Sequence, residues 1–176
     1  MKPKKRVPVS HSRPRKVKIF ISHSSRDSSF VTLLTDLLKT ADLREDEIRC
    51  TSVPTHGLSM GTEIANNLRD DIEQCKIIIA VLTKDALDSF QVLLELGAGW
   101  GLKKRLIPIT GPEIKLEDLP EWLRKSHGMR WDHEECWFDF EPDVFNKLGK
   151  PLRHRKRFRG IVKELVKWQP VDDQQQ

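Results

Sequence analysis

Two rhythms of apolar and polar positions alternate along this chain. Short β-rich runs recur at VKIFIS (17–22), EIRCTSV (47–53), KIIIAVLT (76–83) and RLIPI (105–109), with a weaker one at GMRWD (128–132). Runs of this length, rich in Ile and Val, predict strands; KIIIAVLT is almost unbroken and suits the centre of a parallel sheet. Between them the apolar spacing lengthens to three and four. Phe30, Leu33, Leu34, Leu37 and Leu38 share one helical face, and so do Ile64, Leu68 and Ile72 in a helix opening at Thr62. Another helix runs through Glu95, LEDLPEWLRKS (116–126) precedes the fifth strand, and a last helix covers 155–168.

Strand and helix thus alternate five times over short connections, which predicts an α/β fold with a parallel sheet covered on both faces by helices. Ligands of such sheets sit beyond the carboxyl ends of the strands. The segments to read for chemistry are therefore HSSRDSS after the first strand, PTHGLSMG after the second, and the stretch leading into Glu95.

Length and charge narrow the picture. A chain of 176 residues suits one domain. It has no apolar run of about 18 residues to span a membrane, and its basic start lacks the apolar core of a secretory signal. Cys50, Cys75 and Cys136 are scattered and odd in number, so they are expected to be unpaired thiols in a reducing, cytoplasmic setting. The net charge of +5 conceals an asymmetry: residues 19–146 carry 14 basic and 23 acidic side chains, a net of −9, between two basic ends. Residues 1–18 hold eight Lys or Arg and no acid, and residues 147–176 hold nine against three acids. Residues 1–16 read as a disordered basic arm, 17–150 as the folded domain, and 151–176 as a basic helix and polar tail packed on it. An acidic body is not a nucleic-acid-binding domain; any contact with phosphate falls to the ends, above all RHRKRFR (153–159).

Several familiar chemistries are unsupported. HEEC (133–136) has no second spaced pair to complete a zinc site, and neither GxxxxGK nor GxGxxG follows the first strand. Glu95 is the anomaly: a carboxylate inside LLELGAGWGLKKRLIPI (93–109), where burial is costly unless the charge is paired or hydrogen-bonded. Gly97, Gly99 and Gly101 weaken this helix by about 1 kcal/mol each relative to alanine, which points to the close approach of the sheet or of a ligand, the sheet being the preferred reading. Trp100 is assigned to the core and His56 to the surface.

KIFISHSSRD, GLSMG ahead of a helix, KIIIAVLT and ELGAGWGLKKRLIPI, in this order and spacing, resemble the TIR (Toll/interleukin-1 receptor) domain family, its bacterial branch above all. The likeness covers roughly residues 17–132. It implies a flavodoxin-like five-stranded parallel sheet. Many bacterial members cleave NAD+ at the nicotinamide–ribose bond, and some make cyclic ADP-ribose signals in anti-phage defence. By that resemblance NAD+ is a substrate and no cofactor is implied. Glu95 matches the catalytic glutamate, which suits chemistry that develops positive charge on a ribose. The family's W-x-x-x-E pattern is broken here, because Gln91 stands where the tryptophan would. Phe20, Ser22, His23, Ser24 and Ser25 around the first strand's end, Gly57 in the second loop, and Gln91 itself are the expected substrate contacts. The serines and Asp27 suit helix capping equally well. The resemblance also implies self-association, through a loop matching PTHGLSMG, and a separate sensor or effector as partner. Two alternatives stand beside the enzyme: a non-catalytic TIR–TIR assembly module, and a nucleoside deoxyribosyltransferase-like enzyme.

Overall fold

The computed structural model describes residues 17–51 and 61–170. Residues 1–16, expected as a basic arm, residues 52–60, which include His56 and Gly57, and residues 171–176 lie outside the described residues. Five strands form one sheet: β1 (Ile19–Ser22), β2 (Ile48–Thr51), β3 (Ile77–Leu82), β4 (Arg105–Thr110) and β5 (Met129–Arg130). All pair in parallel, in the order β2-β1-β3-β4-β5. That is the flavodoxin-like order, with its topological switch point between β1 and β3. The unbroken run in β3 is buried at every residue, as a central strand covered on both faces requires.

The helices are α1 (Ser28–Lys39), α2 (Gly61–Gln74), α3 (Lys84–Leu87), α4 (Phe90–Gly101), α5 (Glu121–Arg124), α6 (Glu134–Leu148) and α7 (Arg155–Lys167). Successive strand side chains point to opposite faces. Ile19 and Ile21 of β1 therefore join Ile77, Ile79 and Ile107 beneath α1, α6 and α7. Phe20 joins Ile78, Ala80 and Leu106 beneath the layer of α2, α3, α4 and α5. Helix α6 is not among the elements expected from the sequence. Its buried face is Trp137, Phe140, Val144, Phe145 and Leu148, and Pro142, a helix breaker by composition, sits inside it. Trp137 and Trp131 join Phe30 and Trp168 in an aromatic cluster that fastens the end of α7 to α1.

Only one glycine of α4 has the packing role expected for all three. A Cβ on Gly99 would collide with Ile78 of β3, whereas Gly97 and Gly101 face open space. Helix and sheet thus meet through Gly99, and this close approach sets the depth of everything else on α4. Substituting Gly97→Ala should raise unfolding free energy by about 0.5–1 kcal/mol through helix propensity. Gly99→Leu should lower it by about 1–3 kcal/mol through overpacking. Denaturant titration of both variants checks this; changes of the same sign would contradict the packing described.

Candidate active site

Helix α4 is set by a short preamble. Thr83 caps α3 by accepting from the Ala86 N–H, and Ser89 caps α4 by accepting from the Val92 N–H. The helix then presents Val92, Glu95, Leu96 and Gly99 to the sheet, spaced i, i+3, i+4, i+7. Glu95 is only 1% exposed. It is accommodated because Ser22, the last residue of β1, points to the same face as Phe20 and donates its hydroxyl to Oε2 at 2.5 Å. One turn earlier on α4, the Gln91 amide donates to Oε1 at 3.0 Å. Hydrogen bonds to a charged acceptor contribute about 1.5–3 kcal/mol each, enough to offset much of the desolvation of a buried carboxylate. Ser22 lies beside Ala80 of β3, so the pair occupies the β1/β3 switch point.

Glu95 also lines a cleft of about 550 Å³ between α2 and α4. Leu68, Ile72, Leu94 and Leu102 give the cleft apolar walls, and Arg69 and Glu73 supply its charge. The volume is that of a small-molecule site.

The remaining expected contacts divide between the two faces of the sheet. Phe20 is fully buried in the core beneath α4 and packs rather than presenting a surface. His23 turns the other way: it lines a smaller hollow of about 260 Å³ with Val31, Thr35 and Cys50, on the α1 side. There burial lowers its pKa to about 4, and its Nδ1 finds no partner among the described residues. Ser24 accepts from the Arg26 N–H and starts the short 3-10 turn at Ser25–Asp27, while Ser25 is exposed. Trp100 is a correction to the core assignment: it is 59% exposed and leans on Trp122.

Asp27 is more than the helix cap suggested by its place in the sequence, for its side chain makes no capping bond to α1. It is buried beyond the end of β1 and accepts a hydrogen bond from Thr83, just beyond the end of β3, at 2.9 Å. Burial, reinforced by Asp85 and Glu113, pushes its pKa up to about 6 despite that bond. Both residues follow the carboxyl ends of the two strands that flank the switch point, but their pairing is a contact between segments distant in sequence. Among the described residues no three His, Cys, Asp or Glu side chains converge as a metal site. The three cysteines are free, and burial raises the pKa of Cys50 and takes Cys75 to about 11, which keeps both as thiols.

Asp27 and His23 make opposing contributions to the pH dependence of stability. Folded Asp27 keeps its proton up to about pH 6, against 3.8 for the ordinary group, so its contribution falls as pH rises through that window. Folded His23 stays neutral down to about pH 4, against 6.5, so its contribution rises over nearly the same window. Asp27→Asn removes the falling component and retains an acceptor for Thr83. The variant should melt above the wild type at neutral pH, with the gap closing towards pH 4. A gap independent of pH would refute the buried carboxylate.

Comparison with known proteins agrees with this architecture. Over 155 residues the chain is 32% identical to the uncharacterized protein YddK of Bacillus subtilis (strain 168), a match that takes in 88% of this chain and 54% of YddK. The chain therefore spans about half the length of the curated relative it matches. The sequence model of the TIR domain matches residues 19–145, from the first residue of β1 into α6. With that match over most of its length and the five parallel strands in flavodoxin-like order, the chain belongs to the TIR domain family.

Proposed function

We propose that this protein cleaves NAD+ at the bond between nicotinamide and ribose. The observation that carries the reading is the Glu95 carboxylate, held by Ser22 and Gln91 at the switch point and lining an apolar cleft. Nicotinamide leaves as a neutral base with the electron pair of the C1′–N bond, so no acid is needed to protonate it. The ribose carbon acquires oxocarbenium character, which a carboxylate in water-poor surroundings stabilises far better than one in bulk solvent. Water then adds to C1′ and loses a proton, giving ADP-ribose. If a nitrogen of the adenine adds instead, the product is cyclic. Ser22 and Gln91 act by position, holding Glu95 in one rotamer with its oxygens oriented. Arg69, at the cleft, supplies a cation of the sign that a pyrophosphate requires. A product released for signalling, or the loss of cellular NAD+, fits the defence role that the family resemblance implies.

A second reading, an assembly module without catalysis, is favoured by the outer face of the same helix. Phe90 is 79% exposed, and Leu94, Trp100 and Leu102 are exposed with it. Gln91 also stands where the catalytic pattern of the family has tryptophan, so an aromatic platform is missing at that position. One experiment separates the two readings. Purified protein is incubated with NAD+ across a hundredfold range of concentration, products are identified by mass spectrometry, and size is measured in parallel. Nicotinamide release is expected, with Glu95→Gln folded but slower by about two orders of magnitude or more. Self-association with no nicotinamide at any concentration supports the assembly module instead.

A further inference from the structure

Helix α7 lies beyond the residues matched by the TIR domain, and its packing leaves a charged face outward. Phe158, Ile161, Val162 and Leu165 are buried against the body, and α7 contacts α1 and α6. At about 100° per residue, Arg155, Lys156, Arg159, Lys163 and Lys167 fall within a sector of about 120°, from Arg155 beside the buried Val162 round to Lys167 on the side away from the core. All five are exposed. The one acid of the helix, Glu164, falls outside that sector. Among the described residues, Arg155 alone of the five has an ion-pair partner, Glu141 at 3.8 Å.

This face is not what helix stability asks for. The first turn of α7 carries three cations and no acid, opposite to the preference of a helix dipole, and no side chain caps it. Neighbouring Arg153 and Arg157 are partly neutralised by Asp42 and Asp36, each at 3.8 Å, which limits the patch on that flank. Lys156, Arg159, Lys163 and Lys167 stay clear of such partners among the described residues. From residue 150 to 167 the chain holds many Lys and Arg against one acid, in a protein whose body is acidic.

We propose that this face of α7 docks on the phosphate backbone of a nucleic acid. Arg155, Arg159, Lys163 and Lys167 recur every fourth residue, about 6 Å apart along the axis, a linear array suited to a line of phosphates rather than to one small anion. A membrane is a poorer fit. An amphipathic helix binds lipid by inserting its apolar side, and that side of α7 is committed to the protein core. The contact reads charge and not sequence, because the array carries no exposed aromatic or amide at base-reading positions.

The test uses the full chain and fluorescent oligonucleotide probes of about two helical turns, as duplex DNA, duplex RNA and single strands, in anisotropy titrations from low to physiological salt. Binding should weaken steeply with salt. Replacing Lys156, Arg159 and Lys163 together by Gln should weaken it at least tenfold at low salt. The same change should flatten the log–log salt slope on duplex DNA by about 0.9 for each phosphate no longer neutralised. Thermal melting of the triple variant should match the wild type, since all three side chains are exposed. Glu95→Gln should bind as the wild type does, so the result is independent of any NAD+ chemistry. The proposal is overturned if no probe binds at low salt. It is equally overturned if the triple variant keeps the wild-type affinity and slope, which would assign binding to residues 1–18. Binding to anionic phosphatidylglycerol vesicles without binding to any nucleic acid probe would also overturn it.

Discussion

One hydrogen bond ties α4 to the end of β1: the Ser22 hydroxyl donating to the Glu95 carboxylate at 2.5 Å. Glu95 occupies a helical face whose other members, Val92, Leu96 and Gly99, pack on the sheet. Without the donor at the end of β1 that face would place a less fully compensated carboxylate in the core, with the Gln91 amide still bonded to it. Gly99 makes the contact possible, since its missing side chain lets α4 descend onto Ile78 until Glu95 is level with the strand end. Packing and the placement of the carboxylate are therefore the same constraint here. The depth of the helix fixes the position of the carboxylate.

The alternation of side chains along β1 divides the polar segment after it. Ser22 goes with Phe20 to the α4 side, and His23 follows Ile21 to the α1 side. Two adjacent residues of one motif thus serve opposite faces of the sheet, and the histidine is neutral in its hollow at physiological pH. Asp27 and Thr83 form a second polar link across the same switch point, between the segments that leave β1 and β3. It ties the loop after β1 to the start of α3, immediately before α4.

Much of this arrangement was legible in the residues. The five strand runs and the helix through Glu95 follow from apolar spacing alone, because a parallel sheet buries its strands on both faces. Glu95 was conspicuous for the same reason. Other features depend on contacts between segments distant in sequence. Nothing in SHSSRD says that Asp27 meets Thr83, 56 residues away. Helix α6 hid behind Pro142 and HEEC, although its apolar residues hold helical spacing. Trp100 stands outside the core because the sheet-facing side of α4 is already filled by Val92, Leu96 and Gly99. Gln91 could be placed one turn before Glu95 from sequence, but its bond to Oε1 depends on rotamers that only the packed structure fixes.

The central claim is that Ser22 acts on the reaction through Glu95. The most direct measurement is a double-mutant cycle on NAD+ cleavage, comparing Ser22→Ala, Glu95→Gln and the pair by kcat/KM, with folding checked by circular dichroism. Residues that work as a unit are strongly non-additive. The account expects Ser22→Ala to slow the wild type by at least tenfold and to add almost nothing once Glu95 is Gln. Rate losses that simply multiply, or a Ser22→Ala enzyme as fast as the wild type, would contradict it.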